Sequence, residues 1–301
     1  MTPTVIDTDP GIDDALALLL AWGSPELAVW NVTTVAGNVP VEQATINLLR
    51  LLDLRRPTPV PAIAVGAAQP LRRPLVTAQG YHGDDGIGDV AGWPDVVIPS
   101  APRAADALLD AARRHRDRLT LIALGPLTNV AVALAADAAA MKTIGRVVVM
   151  SGAVDVPGNV TPTAEFNAYV DPDALRHVLA SGMNIDLVSL DATRQAWLPR
   201  VDLEAALARA DDVLAGRLRA IIERGLAVDR ARGGGGMVMH DPLAVALAVD
   251  PGLARWEPVR LCVGPDGETR RTSGPPNCRF ARAVDTARFR ALLIERLCPR
   301  T

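Results

Sequence analysis

The stretch Thr4-Val5-Ile6-Asp7-Thr8-Asp9-Pro10-Gly11-Ile12-Asp13-Asp14, which runs on into the Ala/Leu-rich segment Ala15 to Trp22, decides how this chain is read. Thr4 to Ile6 has strand character, Asp7 to Gly11 carries turn residues, and Asp13 to Trp22 has helical period. A strand, a tight acidic turn and an apolar helix in that order make the first half of a βαβ unit. The alternation continues downstream. Strands are expected at Ala28 to Ala36, Pro61 to Val65, Leu119 to Ala123, Val147 to Met150 and Asn184 to Ser189. Helices are expected at Val41 to Leu52, Ala104 to Arg116, Leu127 to Ala136 and Asp171 to Ala180. The expected fold is α/β: a single domain over residues 1–301 with a mostly parallel, open, Rossmann-like sheet covered by helices on both faces. A charged helical stretch beginning near Val201 and closing on the glycine-rich segment Arg232 to Gly236 is expected to form a helical flap over roughly 201–236.

The polar residues fall at particular points of this pattern. Asp7, Asp9, Asp13 and Asp14 follow the first strand, Gly37 and Asn38 the second, Leu124 to Asn129 a later one, and Ser151 and Gly152 the strand Val147 to Met150. In an open parallel sheet these points share the edge formed by the carboxyl ends of the strands, where ligands bind at a switch point. The active site is expected there.

Within that edge, four carboxylates lie in the eight residues Asp7 to Asp14. A helix N-cap accounts for one of them, Asp13 or Asp14, but not for four. Anions gathered in a partly buried turn repel one another, and a bound cation is one remedy. The ligands on offer are all oxygen, so the ion expected is a hard one, Ca²⁺ ahead of Mg²⁺. A second acidic point is His240-Asp241-Pro242, ahead of the apolar helix Leu243 to Val249, where Asp241 also reads as an N-cap with Pro242 at the first helical position. Between the two lies the polar loop Val156 to Ala168, with Asn159 and Glu165-Phe166-Asn167. Amides and carboxylates converging on a metal suit a polyhydroxylated ligand such as a sugar.

Composition narrows the partners. A hydrophobic fraction of 49% supports a large core, and only 3% aromatic residues means that Ala, Val, Leu and Ile build it. A formal charge of −3 lacks the basic surplus that nucleic acid or an anionic membrane requires. Cys262, Cys278 and Cys298 have no metal-ligand or disulfide spacing, and no segment has the length of a membrane span, so a cytoplasmic setting is expected.

At this point the motifs resemble a known family. DTDPGIDDALALLLA from Asp7, AGN at Ala36 to Asn38, HGDDGIG at His82 to Gly88, LGPLTNVAVA at Leu124 to Ala133, EFN at Glu165 to Asn167 and HDPLAVA at His240 to Ala246 are similar, in order, to the inosine/uridine-preferring nucleoside hydrolases. The resemblance extends to NCRFARAVD, ending at Asp285. It implies hydrolysis of the N-glycosidic bond of a ribonucleoside, a calcium cofactor and a homodimer or homotetramer engaged in purine or pyrimidine salvage. It implies Asp9, Asp14, Asp241 and the Leu124 carbonyl as metal ligands, with Asp9 also the base that activates a calcium-bound water. It assigns Asp13, Asn38, Asn159, Glu165 and Asn167 to the ribose hydroxyls, His240 to protonation of the leaving base, and His82 to the neighbourhood of the nucleobase; Phe166 is the one aromatic inside a matched pocket motif.

These roles suit the chemistry, because an oxocarbenium-like transition state needs an activated water, anionic surroundings and a proton for a poor leaving group. The chain departs from the family pattern in two places. Leu203 to Gly236 holds no aromatic residue where some relatives place tyrosines, and Tyr81 stands where an aliphatic residue is common. Purine or pyrimidine preference is thereby left open. The alternatives are a hydrolase of a modified nucleoside, a non-catalytic nucleoside binder, or a haloacid-dehalogenase-type phosphatase with Asp7 as nucleophile and Asp9 as acid/base. The last leaves Glu165-Phe166-Asn167 unexplained.

Overall fold

The computed structural model describes residues 1–231 and 235–298. Strand and helix alternate from the N-terminus: β1 (Thr2–Thr8), α1 (Ile12–Trp22), β2 (Leu27–Thr34), α2 (Val41–Arg55) and β3 (Ala62–Val65). The short α3 (Gln79–His82) precedes α4 (Ala104–His115), β4 (Thr120–Ala123), α5 (Thr128–Ala136), α6 (Ala138–Met141) and β5 (Arg146–Met150). Next come α7 (Phe166–Val170), α8 (Pro172–Leu179), β6 (Ile185–Val188) and α9 (Leu190–Thr193). A two-stranded clasp of β7 (Trp197–Leu198) and β8 (Met237–Val238) brackets α10 (Arg200–Leu207) and α11 (Asp212–Ala231). The chain then forms α12 (His240–Val249), β9 (Ala254–Val259), the hairpin β10 (Leu261–Val263) and β11 (Thr269–Arg271), β12 (Cys278–Val284) and α13 (Thr286–Leu297).

The central sheet has eight strands in the order β3-β2-β1-β4-β5-β6-β12-β9, all parallel except the edge strand β9. The mostly parallel α/β architecture read from the sequence is the one observed. Successive residues of each central strand serve opposite faces, as the pleat requires. Ile6, Ile122, Val148 and Val188 pack with α1, α2 and α10 to α13, whereas Val5, Leu121, Val147 and Leu187 pack with α4, α5 and α8. Burial on both faces explains why these strands read as unbroken apolar runs. Helix α1 is buried all round from Ile12 to Ala21, which accounts for its lack of a polar face.

The expected flap stretch folds as α10 and α11, and residues 232–234 of its glycine-rich end lie outside the described residues. The C-terminal strands β9 to β12 carry no clear alternation in sequence, being short and half exposed. Among the described residues no helix is long and apolar enough to cross a membrane.

For the site, the decisive feature is the order β2-β1-β4. Strand β1 connects to β2 on one side, while β4, more than a hundred residues later in the chain, lies on its other side. The turns after β1 and β4 therefore diverge, leaving a crevice at their carboxyl ends. There the Leu124 N–H donates to the Asp7 carbonyl at 2.8 Å and ties the two turns together.

Candidate active site

A cavity of about 780 Å³ opens at this crevice. Ten of the twelve residues singled out from sequence line it: Asp13, Asn38, His82, Leu124, Asn159, Glu165, Phe166, Asn167, His240 and Asp241. Asp9 and Asp14 lie one layer beneath, at 1% and 0% exposure.

Asn38 joins the two layers. Its backbone N–H donates to Asp9 Oδ2 at 2.7 Å, and its side-chain amide donates to Asp14 Oδ2 at 3.0 Å. Asp14 also accepts from Gly11 N–H at 2.9 Å and from the Thr8 hydroxyl at 2.5 Å, so it closes the capping box of α1 with Gly11 as N-cap. Neither Asp13 nor Asp14 is itself the cap. Among the described residues Asp9 Oδ1 is buried with no hydrogen-bond partner.

Asp241 stands on the first turn of α12, beside Asp13 and Asp14. The N-cap of α12 is Met239 rather than Asp241, so Asp241 sits inside the helix with its carboxyl turned to the cluster. Oxygen atoms of Asp13, Asp14 and Asp241 all lie within 4.8 Å of one another. Burial, followed by the charge of Asp14, pushes Asp13 up to about 8. Burial and the neighbouring carboxylates push Asp9 and Asp241 well above the usual carboxylate range as well. Such a cluster is costly as bare anions, and the oxygens of Asp13, Asp14 and Asp241 form a set that could bind a hard metal ion; Asp9, with its unused buried oxygen, is not among those three.

The histidines differ in kind. His82 ends α3, and its Nδ1 accepts the Ile12 N–H at 3.0 Å, at the N-terminus of α1. A backbone amide only donates, so the proton of the neutral ring resides on Nε2. Burial, then the charges of His240 and Arg224, push His82 down to about 3. It is a neutral hydrogen-bond donor rather than an acid. Tyr81 packs edge-on against it, with ring centroids 4.8 Å apart. His240 opens α12, and its Nδ1 lies 2.8 Å from the Thr193 hydroxyl.

Glu165 caps α7, accepting from Asn167 N–H at 2.8 Å and Ala168 N–H at 3.1 Å, and from Gly152 N–H at 2.8 Å. The Asn167 amide donates to the Leu124 carbonyl at 2.6 Å and the Met150 carbonyl at 3.0 Å, which joins the ends of β4 and β5 to α7. Asn159 is exposed on the rim, and Phe166 is half-buried in the wall. Asp7 is fully buried beneath the cavity, accepting from Thr33 and, at 2.8 Å, from Asn129. An attack by Asp7 on a substrate therefore has no geometric support.

Several lining residues carry no local signal in sequence. Asp229 of α11 accepts the Val238 N–H at 2.8 Å, and Arg194 donates to the Gly158 carbonyl at 2.8 Å. Arg224, also on α11 but outside the cavity lining, donates to the Tyr81 carbonyl at 3.0 Å and so links that helix to the His82 segment. Asp229 and Arg224 fall within the charged helical stretch that begins near Val201, and Arg194 lies outside every motif read from the sequence.

Comparison with known proteins gives a consistent result. A family model described as inosine-uridine preferring nucleoside hydrolase matches residues 4–291. A pyrimidine-specific ribonucleoside hydrolase RihA from an Enterobacter strain is 35% identical over 309 residues, covering 98% of this chain and 97% of its own. Among solved structures, a plant nucleoside hydrolase, PpNRh1, superposes with a TM-score of 0.92 at 34% identity, covering 99% of both chains. The purine-preferring ribonucleoside hydrolase from Gardnerella vaginalis gives 0.91 at 30% identity, covering 98% of both.

Proposed function

The chain belongs to the inosine-uridine preferring nucleoside hydrolase family and is an enzyme that hydrolyses the N-glycosidic bond of ribonucleosides; we propose that Asp9 is its base, His240 its acid and Ca²⁺ its metal. The observation that carries the first assignment is the buried, unpartnered Oδ1 of Asp9. Its other oxygen is fixed by Asn38, so Oδ1 is the one able to take a proton from the attacking water. As the water oxygen bonds to C1′, the C1′–N bond breaks and its electron pair passes to the base, where His240 delivers a proton.

Asp9, Asp14, Asp241 and the Leu124 carbonyl would hold the ion. A carbonyl has two lone pairs, so Leu124 can serve the ion while accepting from Asn167. When bound, a hard divalent ion neutralises the carboxylates and anchors vicinal hydroxyls of the sugar. Asp13 faces the cavity and is assigned, with Asn38, Asn159, Glu165 and Asn167, to those hydroxyls. His82, fixed with its proton on Nε2, is assigned to an acceptor of the nucleobase, and Phe166 to its face. The remaining anionic surface favours the developing cationic ring. The α10–α11 segment is assigned as a flap, and a cytoplasmic homodimer or homotetramer as the working form.

The test is release of free base and reducing sugar from inosine, uridine, cytidine, adenosine and guanosine, with and without Ca²⁺, for the wild type and Asp9→Asn. Asp9→Asn is expected to lower kcat by ~10²–10⁴-fold without loss of fold. Turnover by that variant at the wild-type rate would remove Asp9 from the role of base.

A further inference from the structure

We infer that Thr193 is a positioning residue for the acid, holding the His240 ring so that Nε2 faces the leaving base. The inference rests on the reading of His240 as the proton donor.

Thr193 ends α9, the single turn that follows β6, and is fully buried. Its hydroxyl meets His240 Nδ1 at 2.8 Å across 47 residues of sequence. His240 lines the cavity and Thr193 does not. The Nδ1 edge of the imidazole is therefore turned into the protein and the opposite edge towards the substrate. Fixing one ring nitrogen in this way determines what the other presents.

The type of partner matters as much as its place. Proton delivery breaks the Nε2–H bond and forms a base N–H bond, and the protonated ring that gives up this proton also carries one on Nδ1, whereas a neutral ring protonated on Nε2 leaves Nδ1 bare. A hydroxyl both donates and accepts, so it stays bonded to Nδ1 before and after the transfer. A backbone amide, such as the one His82 accepts from, fits one state only. The two histidines of the cavity thus have partners matched to different tasks: a fixed donor at His82 and a changing one at His240. Thr193 is itself held in place, because its backbone N–H donates to the Ser189 carbonyl at 3.1 Å and its carbonyl accepts from Ala196 at 3.0 Å.

Thr193→Val keeps the shape and removes the hydroxyl, whereas Thr193→Ser keeps the hydroxyl. Both are assayed against the best ribonucleoside of the panel and against 4-nitrophenyl β-D-ribofuranoside, whose nitrophenolate departs without a proton. Thr193→Val is expected to lower kcat on the ribonucleoside about 10–100-fold, the usual effect of losing the partner that orients a functional histidine. It should leave the nitrophenyl riboside within about twofold, and Thr193→Ser should restore the ribonucleoside rate. Equal losses on both substrates would make Thr193 a packing residue and overturn the inference, as would no loss on either. His240→Ala separates the two levels. If it shows no selective loss on the ribonucleoside, the acid assignment fails and takes the Thr193 inference with it. If it is selective and Thr193→Val is not, only the Thr193 inference fails. Should Thr193→Val not fold, as judged by its melting curve, Thr193→Ala against Thr193→Ser makes the same comparison.

Discussion

Gly37→Ala tests the site with a single methyl group. A Cβ at residue 37 would lie 2.1 Å from Asp9 Oδ2 and 2.7 Å from Pro126 Cδ. Non-bonded carbon needs roughly 3.5 Å, so the carboxylate has to retreat by roughly 1.4 Å, since the proline ring on the other side is the stiffer neighbour. That movement breaks the 2.7 Å bond from Asn38 and shifts Oδ1 from the position in which it is proposed to take the water's proton. A misplacement of about 1 Å costs on the order of 10²-fold in rate, and that loss in kcat is the expected outcome. Gly125→Ala approaches from the other side, its Cβ falling 2.5 Å from Asp9 Oδ1, and should behave alike. Gly216→Ala is the matched control: on the exposed side of α11, with no atom of the described residues within 4 Å of its Cβ, it should gain about 0.5–1 kcal/mol in stability and leave kcat unchanged. The assay is base release under saturating substrate, with a melting curve for each variant. A Gly37→Ala enzyme that melts like the wild type and turns over within twofold of it would refute the placement of Asp9 at the reacting centre.

Two further outcomes follow from the buried acids. Burial pushes Asp7 from 3.8 up to about 6, so its contribution to stability is complete below the lower value and is lost as pH rises through the upper one. Asp7→Asn, which carries no charge to bury, should gain on the wild type by up to about 3 kcal/mol between pH 4 and pH 8 in urea unfolding; parallel stability curves would show that Asp7 pays no burial penalty. For the metal, Ca²⁺ added to chelated enzyme should raise the melting midpoint, with about 2.7 kcal/mol gained at one hundred times Kd. Asp14→Asn should lose most of that gain, and a midpoint indifferent to Ca²⁺ would refute calcium as the ion.

What the sequence revealed, and what it did not, divides along physical lines. The central strands are legible because burial on both faces makes each a short apolar run, and the polar residues that follow their carboxyl ends fall on one edge of the sheet. The clasp of β7 and β8 is not, because two-residue strands have no period to read. Thr193 and Asp229 escaped for a different reason. Each sits in an ordinary helical context, and its importance arises from a partner far along the chain or from a cavity that only the fold creates. The layering of the acidic turn was also hidden. Asp13 and Asp14 are adjacent in sequence, yet one faces the cavity and the other is the buried capping-box residue, because successive positions on a helix point about 100° apart.

The hydrogen-bond capacity of the EFN segment shows how one set of residues can be both scaffold and binding surface. Glu165 Oε2 accepts from Gly152 and Ala168, with Ser151 at 3.3 Å, while Oε1 accepts from Asn167 alone among the described contacts. A carboxylate has about four acceptor positions, so Oε1 retains capacity for a hydroxyl donor. Both amide protons of Asn167 are committed to the Leu124 and Met150 carbonyls, so what this side chain still offers is its acceptor, Oδ1. The segment therefore presents acceptors to the cavity while its donors hold the ends of β4 and β5. A sugar that binds here must donate its hydroxyl protons, and that is the arrangement expected for hydroxyls whose own oxygens are drawn to a cation.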